Sequence, residues 1–226
     1  MAELRLGVLG GSFNPIHVGH LVLAESFRER LLLDRILFVP AGTPPHKTSH
    51  ALAGSVHRYA MVALAVAGHP AFAVSDVDLR RSGPSYSVET LERLAGEWPA
   101  ARLVFLMGSD TFLDLPTWRT PEQLPTWAAL AVGYRTGSGF DPEGPAARAV
   151  LDRLGRRTWV CVPPADPTDP RVVAAGSVLL VETISLPVSA QDLRRRLQAG
   201  ESVRYRVPLA VAEYIAQHRL YAEPDP

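Results

Sequence analysis

The segment richest in chemistry is Gly10-Gly11-Ser12-Phe13-Asn14-Pro15-Ile16-His17-Val18-Gly19-His20. Two glycines after a short apolar run, Leu4 to Leu9, let backbone amides come close to a ligand. A helix starting just beyond them points its amide end, with its partial positive charge, toward a phosphate. His17 and His20 are three residues apart and share one face of such a helix. Gly19 between them omits a side chain where a nucleotide can lie against the backbone. Two imidazoles and a set of amides then form a compact phosphate clamp. The plainer alternative is a capped helix start with two incidental histidines. That alternative wins for either histidine alone and loses for the whole string placed after a first strand.

Four further segments carry polar groups at the ends of apolar runs. Pro44-Pro45-His46-Lys47 lies on a loop, and alone it is only a proline-bearing polar loop. Gly83-Pro84-Ser85-Tyr86-Ser87-Val88-Glu89 reads as a turn followed by a helix start, with Ser87 as cap. Gly108-Ser109-Asp110 follows a strand-like run, with Trp118 and Arg119 shortly after. Ser189-Ala190-Gln191-Asp192-Leu193-Arg194 reads as a capped helix with Arg194 on its second turn. An ordinary cap beside a solvated arginine cluster explains the last segment equally well, since Arg195 and Arg196 follow.

The elements that must position these groups alternate in type. Apolar runs at Leu4 to Leu9, Ile36 to Val39, Phe72 to Ser75, Leu103 to Met107, Leu130 to Gly133, Trp159 to Val162 and Val178 to Val181 read as buried strands. Helical patterns are read at about 18–33, with Leu21, Ala24, Phe27 and Leu31 on one side, and from Ser55, with Tyr59, Val62, Ala63 and Val66 inward. Others run from Ser87 through Leu94, from Ala146 to Leu154, from Ser189 to Leu197 and from Pro208 to His218. Gly- and Pro-rich stretches at 136–145 and 163–170 read as surface loops. Alternating strands and helices predict a doubly wound, Rossmann-like parallel sheet flanked by helices. The expected organisation is one domain over residues 1–226, with a helical portion from about 187. Ligands bind such sheets beyond the carboxyl ends of the strands. Gly10-Gly11, the loop from Pro40 to Lys47, and Gly108 to Asp110 should therefore meet on one edge.

Composition narrows the function classes. The 226 residues hold 23 Lys plus Arg and 23 Asp plus Glu, for a net charge of zero. Such a balance argues against a broad nucleic-acid or membrane surface. No apolar stretch approaches the roughly 20 residues of a bilayer span, and the N-terminus enters a strand at once without a signal peptide. A cytoplasmic protein is the expectation. The single cysteine, Cys161, lies in an apolar run and reads as a core residue. No cluster of carboxylates has metal-ligand spacing, so no protein-held metal is expected.

The glycine–histidine segment resembles the signature of the HxGH nucleotidyltransferase superfamily, which has a doubly wound fold and transfers a nucleoside monophosphate from a triphosphate. The Pro-Pro-His-Lys loop, Gly83 to Leu91, Gly108 to Asp110 with Trp118, and the closing run from Val203 to Tyr221 resemble its bacterial nicotinate mononucleotide adenylyltransferases. The resemblance thins only between about Thr136 and Val178. It implies adenylyl transfer from ATP to nicotinate mononucleotide, giving deamido-NAD and pyrophosphate in NAD biosynthesis. It implies catalytic roles for His17, His20 and Arg194, without a covalent enzyme intermediate. ATP is expected to meet Gly10, Gly11, Ser12, Phe13, Gly19, Gly108, Asp110 and Ser189. Nicotinate mononucleotide is expected to meet Asn14, His46, Lys47, Ser87, Trp118 and Arg119. Trp118 then stacks on the pyridine ring while the amides at Ser87 and Arg119 face its carboxylate. A magnesium ion (Mg2+) is expected to arrive with ATP, bridged by phosphates. This chain has Ala190 and Gln191 where the family usually has Ser and Thr, which removes a hydroxyl contact to the nucleotide. Another superfamily branch, a phosphopantetheine adenylyltransferase or a cytidylyltransferase, and a non-catalytic nucleotide-binding protein remain the rival readings. The oligomeric state is open.

Overall fold

A computed structural model describes residues 4–45, 52–135, 137, 139–156, 159–162, 175–184 and 186–222. His46, Lys47 and the 163–170 loop therefore lie outside the described residues. Seven strands form one sheet in which every pairing is parallel: β1 (Leu4–Gly11), β2 (Arg35–Pro40), β3 (Phe72–Val74), β4 (Ala101–Gly108), β5 (Ala129–Tyr134), β6 (Val160–Val162) and β7 (Val178–Glu182). The order across the sheet is β3-β2-β1-β4-β5-β7-β6. The direction of winding reverses between β1 and β4, the crevice where doubly wound sheets bind ligands.

Side chains alternate across a strand, so neighbouring residues serve opposite faces. Leu9, Phe38, Leu106 and Ala131 enter one apolar cluster; Val8, Val39, Phe105 and Leu130 enter the other. Burial on both faces explains why the strands read as unbroken apolar runs. The first cluster is closed by α1 (Val18–Leu31), α2 (Ser55–Val66), α7 (Ala190–Gln198) and α8 (Leu209–Gln217), through residues such as Phe27, Met61, Leu193 and Ile215. The second is closed by α3 (Ser87–Glu97), α4 (Ser109–Asp114), α5 (Leu124–Trp127) and α6 (Pro145–Arg153), through Leu91, Phe112, Leu124 and Val150. No helix among the described residues is long and apolar enough to cross a membrane.

Several expectations are corrected. β1 does not stop at Leu9. Its ladder with β2 carries on through Gly10 opposite Val39 and Gly11 opposite Pro40, so the turn begins at Ser12. Tyr86 and Gly54, not Ser87 and Ser55, hold the cap positions of α3 and α2. The buried face of α2 is rotated by one residue, to Arg58, Met61, Val62 and Val66. Cys161 is exposed. It sits on the edge strand β6, where Val160 turns to the core and its neighbour turns away.

Arg58 is the buried residue that an apolar stripe would not lead one to expect, with no exposure to water. Its guanidinium donates Nε–H to Ala53 O at 2.9 Å, one Nη–H to Ser12 O at 2.8 Å and another to Gly42 O at 2.8 Å. The first glycine loop, the loop after β2 and the entry to α2 are thereby gathered around one planar fork. Gly42 is needed where it stands, because a Cβ there would lie 2.5 Å from Asp78 O.

Replacing Arg58 by Met takes the guanidinium donor from three partly buried carbonyls. With charge-assisted bonds worth about 1.5–3 kcal/mol each, Arg58→Met should lower unfolding free energy by about 3 kcal/mol or more. Arg58→Lys should recover less than half, since an ammonium cannot serve three fixed directions. Urea unfolding decides, and near-native stability in Arg58→Met would refute the gathering role.

Candidate active site

A cleft of about 610 Å³ opens at the carboxyl ends of β1 and β4. Gly10, Gly11, Ser12, Phe13, Asn14, His17 and His20 line it from the first glycine segment. Pro44 and Pro45 come from the loop after β2, Gly108 and Trp118 from the chain after β4, and Ser87 from the start of α3. Ser189 and Ala190 come from the start of α7, about 180 residues away from Gly10 and Gly11 in sequence. The segments read from sequence as carrying chemistry thus converge on the expected edge.

His17 is the cap residue of α1 and His20 its third helical residue. Their rings stack with centroids 3.7 Å apart and planes 28° apart. His17 N–H donates to His20 Nδ1 at 3.2 Å. A neutral imidazole that accepts at Nδ1 carries its proton on Nε2, so His20 presents Nε2–H as a donor. His17 is buried, and its Nδ1 has no hydrogen-bond partner among the described residues. Burial holds its pKa down, to about 4 from 6.5, so the ring is neutral near pH 7. Gly19 matters for this ring: a Cβ there would lie 3.0 Å from His17 Nδ1. Its closest constraint is therefore the clamp itself, where the sequence reading had a nucleotide against its backbone.

The left-handed residue of the turn is Phe13, with φ of 44°, not a glycine. Its ring is buried edge-on against His20 at 5.1 Å and near Phe38 at 6.0 Å. A non-glycine residue held in this region stores of order 1–3 kcal/mol of strain, characteristic of functional turns. Part of the helix-end potential is already used, since Val18 N–H donates to Arg206 O at 2.9 Å.

Arg194 reaches back from α7 and donates to Asn14 O at 2.7 Å. Ser189 caps that helix, its Oγ accepting Asp192 N–H at 3.1 Å. Arg195 and Arg196 instead pair with Asp192 and Glu201 on the surface. Trp118 is half-buried, edge-on to Phe105 at 6.4 Å. Arg119 is exposed, lying 3.4 Å from Glu89 and 4.6 Å over the Tyr86 ring; it ties the Trp118 turn to the start of α3. Ser87 opens α3, whereas Arg119 sits in a bend between short 3-10 turns at Leu115–Thr117 and Pro121–Gln123. Asp110 is exposed in the first turn of α4, while Gly108 and Thr111 line the cleft.

Three contributors were not read from the sequence. Asp78 is buried in the cleft wall and accepts Thr90 Oγ1–H at 2.7 Å. Burial pushes its carboxyl above the usual range, against hydrogen bonds from Thr90 and Ser85 and the charge of Arg81. Ser85 Oγ accepts Gly42 N–H at 2.9 Å, linking Asp78 to the loop after β2. The other two are Arg58, whose guanidinium gathers three loops, and Tyr221, whose phenol donates to Asn14 Oδ1 at 2.7 Å. Arg58 had a signal: it stands three and four residues before Met61 and Val62, on the face those apolar residues define.

His17 makes folding sensitive to acid. The unfolded ring takes a proton near 6.5 and the folded ring only near 4, so the unfolded state binds more protons in that window. Stability should rise with pH there, and as pH falls from about 6.5 to 4 about 3 kcal/mol should be lost through this one group. His17→Gln should lose correspondingly less between pH 7 and 4. Parallel acid and neutral urea titrations of both proteins would refute the assignment if the curves stay parallel.

Comparison with known proteins agrees with this geometry. A family model described as cytidylyltransferase-like matches residues 8–196. A probable nicotinate-nucleotide adenylyltransferase of Thermomicrobium roseum is 44% identical over 96% of this chain and 91% of its own. One from Synechococcus sp. (strain JA-3-3Ab) is 40% identical over 98% of this chain and 97% of its own. The fold is shared with Plasmodium falciparum nicotinic acid mononucleotide adenylyltransferase, solved with NaAD. That match has a TM-score of 0.70 at 17% identity, covering 96% of this chain and 97% of that one. With a doubly wound sheet, a stacked histidine pair at its switch point and relatives matching end to end, the chain belongs to the nicotinate-nucleotide adenylyltransferases of the cytidylyltransferase-like family.

Proposed function

We propose that this chain transfers the adenylyl group of ATP to nicotinate mononucleotide, forming deamido-NAD and pyrophosphate. The observation that carries the reading is the stacked His17–His20 pair at the β1–β4 crevice of a chain with these relatives. A phosphate oxygen of the mononucleotide attacks the α-phosphorus of ATP in line. The bond from that phosphorus to the bridging oxygen breaks, and pyrophosphate leaves with the electron pair. Positioned donors and charges do most of the work in such a transfer. His20 Nε2–H and the His17 ring face the reacting phosphates, and Arg194 neutralises the leaving pyrophosphate. Gly10 to Phe13 let the nucleotide lie close to the main chain, with Gly108, Asp110 and Ser189 at the adenosine side. Asn14, Ser87, Trp118 and Arg119 take the mononucleotide, and His46 and Lys47 join them on the strength of the resemblance.

Nucleotidyltransferases use a divalent metal with ATP. We assign magnesium, entering as part of the ATP complex and held mainly by phosphate oxygens. The chain works as one domain, because Leu193, Val211 and Ile215 of the closing helices share an apolar cluster with Phe27 and the sheet. A cytoplasmic setting goes with this substrate pair.

Arg194 should matter far more than its neighbours. Arg194→Ala should lower kcat by about 10²-fold, as loss of one transition-state donor commonly does. Arg195→Ala and Arg196→Ala break only exposed ion pairs, worth about 0–1 kcal/mol, and should stay within about 2-fold. Three similar steady-state rates would defeat the role.

The choice of acceptor tests the function itself. Two amides near Ser87 and Arg119 can hold the nicotinate carboxylate. An amide in its place weakens both acceptors and turns an NH2 group toward a donor. At about 1.5–3 kcal/mol per charge-assisted bond, the preference for nicotinate over nicotinamide mononucleotide should be on the order of 10²-fold in kcat/KM. Trp118→Ala should weaken both acceptors alike, since a stacked ring does not sense the substituent. Pyrophosphate release measured with both acceptors decides. A ratio near one, or one favouring the amide, would overturn the proposed substrate.

A further inference from the structure

Asn14 is buried and forms part of the cleft wall. Its side-chain Oδ1 accepts two hydrogen bonds, from Ala53 N–H at 3.1 Å and from the Tyr221 phenol at 2.7 Å. The main-chain N–H can only donate, so the atom facing it must be the amide oxygen, and the orientation of the amide follows. The phenol facing that same oxygen must then be the donor as well. Its neighbourhood is consistent: burial pushes the Tyr221 hydroxyl well above the usual phenol range, while the nearby Arg194 and Arg58 charges oppose this. Tyr221 thus stays protonated across the working pH range. It lies 207 residues after Asn14 in the chain.

We propose that Tyr221 is a positioning residue for the acceptor substrate: with Ala53 it pins the Asn14 amide so that its NH2 end, and not its oxygen, serves an anionic oxygen of the mononucleotide. This rests on the mononucleotide-binding role given to Asn14 above. The chemistry requires such a device, because an Asn side chain is ambivalent. Rotated by half a turn it presents a carbonyl oxygen to an anion, and attraction becomes repulsion. Two donors on the one oxygen, Ala53 N–H and the Tyr221 phenol, fix which way the amide faces. Arg194 fixes the same residue from the other side through its backbone carbonyl, at 2.7 Å. Asn14 is therefore held at both its main chain and its side chain by residues from the end of the chain. Donors fixed before the substrate arrives cost no reorganisation on binding.

The test compares KM values for nicotinate mononucleotide and for ATP in wild type, Tyr221→Phe, Asn14→Asp and the double variant, with thermal melts of each. Tyr221→Phe should raise KM for the mononucleotide by about 5- to 10-fold, the scale of one neutral hydrogen bond. It should leave KM for ATP, kcat and the melting temperature near wild type. Asn14→Asp keeps an oxygen for both Ala53 and Tyr221 but has no amide donor. It should raise the same KM at least as far, and adding Tyr221→Phe to it should raise that KM no further. Wild-type KM in Tyr221→Phe, an equal effect on ATP, additivity in the double variant, or a large fall in melting temperature would each overturn the positioning role. Wild-type KM in Asn14→Asp would overturn the binding role of Asn14 beneath it, and the two failures are told apart by which single variant is silent.

Discussion

A guanidinium sealed from water, with main-chain carbonyls as its hydrogen-bond partners, is the constraint on which this site rests. Desolvating a charge is costly, and Arg58 is tolerable only because Ser12, Gly42 and Ala53 replace its water. Those carbonyls belong to three segments that the sheet alone would leave to their own turn preferences. Satisfying one cation forces them together, and the cleft floor inherits their spacing. Gly42 then has to be glycine, since the backbone near Asp78 crosses within 2.5 Å of where its Cβ would be. Among the described residues, the hydrogen-bond partners of Arg58 are main-chain carbonyls and none is an acid. In a low-dielectric setting the field of its charge extends to the cleft, where it favours anionic ligands.

Charge and direction are supplied by different groups. His17 rests in its neutral form through burial, and the Nδ1 of His20 accepts from His17 N–H. The pair therefore gives oriented N–H donation, while Arg58 and Arg194 supply positive charge from behind and from the side. Phosphoryl chemistry needs both: oriented donors for the oxygens of the reacting phosphate and charge for the leaving group. The edge-on contact of Phe13 with His20 ties ring orientation to the turn, so strain at Phe13 and the pose of the clamp are one feature.

Most of this fold was legible because burial on both faces writes parallel strands as apolar runs, and all seven were readable. Boundaries failed where local chemistry and the ladder disagreed. Gly10 and Gly11 look like a turn, yet pairing with β2 keeps them in the strand. The helices α4 and α5 and the 3-10 turns around Trp118 are too short to leave a periodic signal. At the site, the histidines stood out by type and spacing, whereas Arg194 and Trp118 were singled out through the family resemblance; His17, His20, Ser189 and Trp118 line the cleft. Asp78 and Tyr221 were not, because their importance lies in partners that are distant in sequence. Arg58 was legible in principle as a cation on an apolar stripe, and a face assigned one residue off hid it.

The same distance has a consequence for how the site comes into being. Val18 N–H closes on Arg206, Asn14 O on Arg194 and Asn14 Oδ1 on Tyr221, each linking the first turn after β1 to the last thirty or so residues. The sheet and both apolar clusters can assemble largely from strands and helices that follow one another in sequence. Those three links cannot, because each closes a loop over nearly the whole chain. Until α7 and the residues after α8 dock, the glycine segment has the fork of Arg58 beneath it but lacks the bonds from Arg194 and Tyr221 to Asn14. A chain lacking that end would lose both bonds to Asn14 together with part of the first apolar cluster. Coupling the glycine turn to the final segment ties the fixed pose of Asn14 to the closing of the first apolar cluster.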